Sequence, residues 1–256
     1  MGRICHLLLK YYHEKMKIQI NDRQFISNSE VRWYMSSQVV WIGKEKNYYE
    51  IEELIGKCYG SYKWLWSDED TILFDQEHLN FIGAVIKLNE PIIVKRDKIN
   101  INSIEEKYGS IEISEKRNFD CKLSDFTEYY LEDDILLTHS NKWDVNNFSI
   151  EIKITSDFSV IVQNNEMMGI MIYKASTHLL PEGIYQIGEN ENIDSDLCLK
   201  IASYFKLLEK IDDDLTQHEE LELKKSFMEI YDQVLPYDKL GYIALRDTIL
   251  NVVDYM

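Results

Sequence analysis

Residues 149–174, SIEIKITSDFSVIVQNNEMMGIMIYK, decide the fold class of this chain. Apolar and polar residues alternate in three short segments, which the turn signals TSD at 155–157 and NNE at 164–166 separate. Alternation with a period of two is typical of half-buried strands, and short connections favour antiparallel pairing. Residues 149–174 therefore predict a meander of three antiparallel strands.

The same period recurs through the first three quarters of the chain. Predicted strands cover residues 17–21, 39–43, 61–66, 81–88, 92–95, 110–114, 148–154, 159–163 and 169–174. Helical spacing interrupts the strands at residues 49–57 and 125–133, and Ser103 with Glu106 predicts a capping box for a short helical turn. We detect no internal repeat in the sequence.

After residue 188 the period of the apolar residues changes from two to 3.6, which predicts three amphipathic helices. Asp194 or Ser195 is expected to cap the first helix, Thr216 with Glu219 to form a capping box for the second, and Asp238 to cap the third.

Together these patterns predict an α+β fold. A predominantly antiparallel β-sheet part with interspersed short helices is followed by a C-terminal three-helix segment. We expect a β-rich domain over residues 1–188, whose natural start is Met16, and a helical segment over 189–256 packed on it.

The net charge is −17, with 45 Asp and Glu against 28 Lys and Arg. The excess is uneven, since residues 1–60 hold 9 basic and 7 acidic side chains whereas residues 186–256 hold 7 and 16. A strongly acidic surface repels nucleic acid and anionic membranes and accelerates association with basic proteins. The charge therefore predicts a basic protein partner and argues against nucleic-acid and membrane partners.

Several features that the sequence lacks bear on the cellular compartment of the protein. The longest apolar runs, such as residues 81–86, fall far short of the roughly 20 residues that a membrane span needs. Residues 1–15 do not resemble a secretory signal. The four cysteines, Cys5, Cys58, Cys121 and Cys198, are too widely spaced for a metal box or a CxxC pair. We expect a cytoplasmic protein with reduced thiols.

The first candidate site for partner contact is a predicted aromatic strand followed by an acidic turn. It consists of Tyr62, Trp64, Trp66, Asp68, Glu69 and Asp70. On a strand the three aromatic side chains share one face, beside the carboxylates. The alternative is that the aromatic residues pack in the core and the acids form a solvated turn.

The second candidate is the acidic trio Glu132, Asp133 and Asp134, with His139, Trp143 and Asp144 downstream. Carboxylates and a histidine are the ingredients of a divalent-metal site or of a general acid and base pair. Their spacing matches no known motif, so the alternative is a solvated helix end. The acids at 212–214 and 219–222 lack the central glycine of a calcium-binding loop and predict a solvated corner between two helices.

No phosphate-binding loop, metalloprotease, serine-hydrolase or kinase motif occurs, and no cofactor is predicted. The leading hypothesis is a non-catalytic bacterial or phage protein of the inhibitor or immunity type, which covers a basic partner such as a toxin nuclease. One alternative is a hydrolase with a divalent metal held by the acidic trio near His139. Another is a structural subunit of a larger assembly, and the sequence leaves the oligomeric state open.

Overall fold

The structure is a computed structural model that describes residues 17–21, 30–61, 70–97, 104–185, 192–212 and 214–256. The strands are β1 (Ile18–Asn21), β2 (Glu30–Tyr34), β3 (Val39–Gly43), β4 (Cys58–Ser61), β5 (Thr71–Asp75), β6 (Phe81–Lys87), β7 (Ile93–Lys95), β8 (Ile104–Tyr108), β9 (Ser110–Ile113), β10 (Phe126–Tyr130), β11 (Ile135–His139), β12 (Ser149–Lys153), β13 (Phe158–Gln163) and β14 (Glu166–Tyr173). The helices are α1 (Tyr48–Ile55), α2 (Ser195–Leu208), α3 (Gln217–Val234) and α4 (Leu240–Tyr255), and a 3-10 helix covers Ala175–His178.

The strands form three sheets, and the predicted α+β fold is confirmed. Five strands pair in the order β2-β3-β6-β5-β4, seven in the order β7-β10-β11-β14-β13-β12-β8, and β1 pairs with β9. Neighbouring strands are antiparallel except that β7 pairs parallel with β10 and β8 pairs parallel with β12. None of the helices in the described part of the chain is both long and apolar enough to cross a membrane.

Period-two alternation located most strands correctly. The predictions at 17–21, 39–43, 81–88, 92–95, 110–114, 148–154, 159–163 and 169–174 correspond to β1, β3, β6, β7, β9, β12, β13 and β14. Only Ser61 of the predicted strand 61–66 is described, and it ends β4. The predicted helix at 49–57 is α1, which Asn47 caps by accepting a hydrogen bond from the backbone N of Glu50.

Two predicted helical segments are strands. The helical turn expected from Ser103 and Glu106 is wrong, since residues 104–108 form β8 and Glu106 pairs with Lys153 across the sheet at 2.7 Å. Ser103 itself lies outside the described residues. Within residues 125–133, predicted as a helix, β10 runs between β7 and β11. In both cases hydrogen bonding to neighbouring strands overrides a local helical signature, because strand formation depends on partners that are distant in sequence.

The first two C-terminal helices begin at the predicted capping residues, and the third does not. The Asp194 side chain accepts a hydrogen bond from the backbone N of Leu197 at the start of α2, and Thr216 and Glu219 form the capping box of α3. The prediction for Asp238 is wrong, since Lys239 is the N-cap of α4 and makes no side-chain capping bond.

One hydrophobic core joins the two large sheets with α2, α3 and α4. At its centre the ring of Trp33 on β2 lies 6.2 Å from Tyr129 on β10 and 6.0 Å from Phe205 on α2. All three side chains are almost fully buried. The boundary between two domains at residue 188 stays a prediction.

The two large sheets contain the same five-stranded module twice. Module 1 is β2–β6 and module 2 is β10–β14, and both have the strand order first, second, fifth, fourth, third. Each opens with a hairpin whose four-residue turn ends at a left-handed residue, Gln38 (φ 53°) in module 1 and Asp134 (φ 50°) in module 2. Each also has a register shift between its fourth and fifth strands, where the fifth strand holds one extra residue next to Gly83 in module 1 and next to Gly169 in module 2.

The chain segment that leaves each module pairs with the first strand of the other module. The chain leaving module 1 forms β7, which pairs parallel with β10 of module 2. The chain leaving module 2 makes a parallel bridge between Leu179 and Trp33, on β2 of module 1. No repeat is visible in the sequence because equivalent positions carry unlike side chains, such as the fully buried Arg32 on β2 and the paired surface residue Glu128 on β10.

Candidate functional site

The first predicted contact group is mostly outside the described residues. Five of its six members lie outside the described residues: Tyr62, Trp64, Trp66, Asp68 and Glu69. The sixth, Asp70, is fully buried, and its carboxylate accepts hydrogen bonds from the backbone N of Leu123 (2.6 Å) and the hydroxyl of Ser124 (2.9 Å). Burial raises the pKa of Asp70, against the opposing effect of these hydrogen bonds. Asp70 is therefore a structural residue that a partner does not reach, rather than part of a solvated turn.

The acidic trio is divided between the surface and the core. Glu132 is exposed and Asp133 is partly exposed, whereas Asp134 is 1% exposed. The hydroxyl of Tyr129 donates to Asp134 Oδ1 (2.9 Å), and the hydroxyl of Ser176 donates to Oδ2 (2.6 Å). Burial raises the pKa of Asp134. Only Glu132 and Asp133 of the trio are therefore placed to contact a partner.

His139 does not lie beside the acidic trio. Asp134 precedes β11 and His139 ends it, so their backbones are separated by the length of the strand, about 17 Å at 3.3 Å per residue. In the described ranges no three His, Cys, Asp or Glu side chains are grouped so as to hold a metal ion. The two parts of the second predicted site are therefore at opposite ends of one strand.

At its own end of β11, His139 belongs to a row of three aromatic rings. Its ring centroid lies 5.4 Å from that of Phe126 on β10 and 5.1 Å from that of Trp143. Trp143 is 8% exposed and donates from Nε1 to Ser149 Oγ (3.2 Å), whereas Phe126 is 47% exposed. We call Phe126, His139 and Trp143 the aromatic row.

The aromatic row is continued by the irregular segment 140–148, the 140–148 loop, which the buried Gln163 holds in place. Gln163 Nε2 donates to the carbonyl oxygens of Asp144 (2.8 Å) and Asn147 (3.2 Å), and its Oε1 accepts from the backbone N of Asp144 (3.2 Å). At the start of the loop, Asp125 accepts hydrogen bonds from Ser140 Oγ and from the backbone N of Asn141. The loop thus has one fixed conformation without being a helix or a strand.

Exposed side chains project from this fixed loop. Val145 is 51% exposed and Phe148 is 62% exposed. The carboxylate of Asp144 is exposed and accepts from the backbone N of Asn146 (3.0 Å) and from Asn147 Nδ2 (2.6 Å). No lysine, arginine or histidine of the described residues forms an ion pair with Asp144.

A cleft beside the loop holds the one partly exposed cysteine of the described chain. Cys121 lines the cleft with Lys122, Lys142 and Glu166. Burial, and then the nearby charge of Asp70, raise the pKa of the Cys121 thiol to about 12. Because the thiolate is the reactive form, this cysteine is a poor nucleophile at neutral pH. Cys58 and Cys198 are also free thiols, and burial raises the pKa of each to about 11.

A group of mostly exposed acids lies where α2 ends and α3 begins, and we call it the acidic corner. Its members are Glu209, Asp212, Asp214, Glu219, Glu220 and Glu222. Lys224 and Lys225 pair with Glu220 and Glu222. The other four carboxylates form no ion pair within the described residues, although hydrogen bonds from Thr216 lower the pKa of Glu219. The corner therefore presents four carboxylates that form no ion pair within the described residues, with the exposed Lys210 among them.

No protein-family model matches this chain, and no curated protein sequence matches it either. The candidate surfaces therefore depend on geometry alone. Sequence reasoning named His139, Trp143 and Asp144 but missed Phe126 and Gln163. A polar residue at the end of the apolar run of β13 was the available signal for Gln163.

Proposed function

We propose that the protein is a non-catalytic interaction protein of the inhibitor or immunity type, which binds and covers a basic protein partner such as a toxin nuclease. The observation that carries this proposal is the acidic corner, where four exposed carboxylates have no cationic partner among the described residues. Such charges are stabilised when a cationic surface approaches, and none of the four gains an ion pair within the described residues, although Glu219 also accepts the capping-box hydrogen bonds of α3.

The mechanism is electrostatic steering followed by occlusion. The field of a chain with a net charge of −17 increases the rate of encounter with a basic protein, and this effect weakens as salt screens it. Glu132 and Asp133 are further candidate contacts on the hairpin between β10 and β11. Aromatic side chains then supply the short-range contacts that slow dissociation.

The hydrolase alternative gains no support from the described residues. Its proposed ligands are separated along β11, and Asp134 already accepts hydrogen bonds from Tyr129 and Ser176. The three described thiols have pKa values raised by burial, so they do not supply a nucleophile. Sedimentation of the purified protein tests the remaining alternative, a structural subunit, through self-association.

The proposal is tested by affinity capture from the native cell lysate at low salt, with elution by rising salt and identification by mass spectrometry. We expect a stoichiometric basic protein that moderate salt releases. A matched variant with Asp212→Asn, Asp214→Asn and Glu219→Gln removes three unpaired charges and is expected to release the same protein at lower salt. Capture of a neutral or acidic protein, or elution that does not depend on salt, would contradict the proposal.

A further inference from the structure

The edge strands of the two large sheets are short or covered, with the exception of β8. On β2 the carbonyl oxygen of Trp33 accepts a hydrogen bond from the backbone N of Leu180 (2.9 Å). On β4, at the other edge of that sheet, the carbonyl oxygen of Gly60 accepts from the backbone N of Phe119 (3.1 Å). In the seven-stranded sheet the edge strand β7 has only three residues. The opposite edge strand, β8, has five residues, and no described strand pairs with its outer edge.

The charged side chains at this open edge are exposed and balanced. Glu105 pairs with Lys107 (3.4 Å), and Glu106 pairs with Lys153 on β12 (2.7 Å). The other acid of β12, Glu151, is 7% exposed. An open edge presents backbone groups that accept a further strand, and a surplus of like charges is one device that prevents such pairing. At β8 two acidic and two basic groups cancel, in a chain whose net charge is −17.

A second copy of β8 is complementary to the first. Two identical strands pair antiparallel around a two-fold axis perpendicular to the sheet, and this rotation keeps each face of the sheet on its own side. Opposed residues are then equally distant from the residue on the axis, so an axis at Glu106 pairs all five residues of β8. Glu105 of each copy lies opposite Lys107 of the other. Ile104 of each copy lies opposite Tyr108, which is 63% exposed.

These cross-strand pairs favour this register over its neighbours. Opposite charges and pairs of an aromatic with a β-branched residue stabilise antiparallel strands, and like charges directly opposite destabilise them. Glu106 opposes its own copy, but Lys153 neutralises each of these two carboxylates. Moving the axis by one residue places Glu105 opposite Glu105 or Lys107 opposite Lys107, and either change loses both ion pairs.

We propose that the protein forms a homodimer in which β8 pairs antiparallel with β8 of a second copy and joins the two seven-stranded sheets into one. Strand addition at a sheet edge is a common mode of protein recognition, and a contact that uses the same edge in both copies closes at two. The acidic corner lies on other elements, where α2 ends and α3 begins. The dimer and the proposed basic partner therefore use different surfaces, and neither requires the other.

Sedimentation of the full chain over a range of protein concentrations tests the dimer. We expect a reversible equilibrium between monomer and dimer that favours the dimer more at roughly 0.15 M than at roughly 0.01 M salt, because salt screens the repulsion between two acidic chains. Binding of a basic partner has the opposite salt dependence. A monomer at every concentration would overturn the dimer, as would growth beyond two copies, which the structural-subunit alternative predicts.

Two charge reversals assign the contact to β8. Lys107→Glu and Glu105→Lys each place like charges opposite each other in the dimer, and each alone is expected to raise the dissociation constant at least about fivefold. An equimolar mixture of the two variants is expected to restore the dimer, because every reversed strand then meets a strand of opposite charge. Loss of the ion pair within one chain does not produce this restoration, since both variants lack that pair.

Lys225→Glu is the matched control. It changes the net charge as Lys107→Glu does, and it also removes an exposed ion pair, with Glu222 on α3. We expect this variant to dimerise as the unaltered chain does. The assignment to β8 would be overturned by a dimer that persists in both β8 variants, by equal weakening in the control, or by a mixture that stays monomeric.

Discussion

Asp134 and Ser176, 42 positions apart, are joined by hydrogen bonds that tie the hairpin of module 2 to the segment leaving it. The backbone N of Ser176 donates to both carboxylate oxygens at 3.0 and 3.2 Å, and its hydroxyl donates to Oδ2 at 2.6 Å. The carbonyl oxygen of Asp134 also accepts from the backbone N of Ala175. Sequence reasoning placed the Asp134 carboxylate at a partner interface. In the structure this carboxylate instead holds the chain segment that leads from module 2 to module 1.

Replacing Asp134 with alanine is expected to lower the free energy of unfolding by about 3 kcal/mol, because the buried Ser176 and Tyr129 donors lose their acceptor. Urea denaturation measures the change. Glu132→Ala, in the same turn but exposed, is the control and is expected to change stability by less than about 0.5 kcal/mol. Equal losses in both variants would show that Asp134 has no special structural role.

The equivalent glycines of the two modules are expected to be equally intolerant of a side chain. A Cβ at Gly83 would lie 2.8 Å from the carbonyl oxygen of Ile42, and one at Gly169 would lie 2.7 Å from that of Thr138. Gly83→Ala and Gly169→Ala are each expected to cost about 1–3 kcal/mol, as overpacking does. Gly56→Ala, where no atom lies within 4 Å of the added carbon, is the control. A tolerated change at either position would contradict the close backbone approach at that glycine.

Stability is expected to fall below neutral pH because of His178. Burial lowers the pKa of this histidine below its usual 6.5, while nearby Asp157 opposes and Lys174 reinforces the effect. The unfolded chain takes up a proton at about pH 6.5 and the native protein does not, so stability is lost as pH falls from that value towards the native pKa. The slope contributed by this group is at most about 1.4 kcal/mol per pH unit.

Urea denaturation between neutral and mildly acidic pH measures this slope. His178→Leu is expected to remove it, whereas His218→Gln, on the exposed surface of α3, is expected to retain it. A wild-type slope that persists unchanged in the His178 variant would assign the pH dependence to another group.

Gln163→Leu is expected to release the 140–148 loop without unfolding the sheet. Losing these hydrogen bonds costs about 1–3 kcal/mol locally, which corresponds to roughly 5- to 150-fold faster exchange of the Asn147 amide. Hydrogen exchange followed by NMR measures the rates. Gln217→Leu, at the exposed start of α3, is the control. Unchanged protection in the loop would mean that Gln163 does not fix it.

Much of the fold could be predicted from local patterns. Strands with one buried face, such as β12, alternate visibly, and α3 begins at a capping box because Thr216 and Glu219 satisfy each other's backbone donors. Strand β5 (TILFD) was missed although the equally buried β3 and β13 were predicted, because a short run of consecutive apolar residues does not by itself distinguish a strand from a buried helical segment. Strand β10 was predicted as part of a helix because its aromatic and acidic residues include no turn signal that would interrupt a helix.

The candidate site was less predictable, since burial of a carboxylate depends on donors far away in sequence. Asp70 and Glu132 both occur in acidic clusters, yet Leu123 and Ser124 bind Asp70 in the core while Glu132 is exposed. Pairing of Phe126 with His139 in the aromatic row follows from the register of β10 and β11, which the sequence does not specify.

The most direct test of the proposed function is calorimetric titration of the captured basic protein into this chain at two salt concentrations. Raising salt from roughly 0.01 M to roughly 0.15 M shortens the Debye length from about 30 Å to about 8 Å. The proposal predicts stoichiometric binding whose affinity falls at least about tenfold over that range, mainly through slower association. Equal affinity at both concentrations would contradict an acidic surface as the determinant of binding.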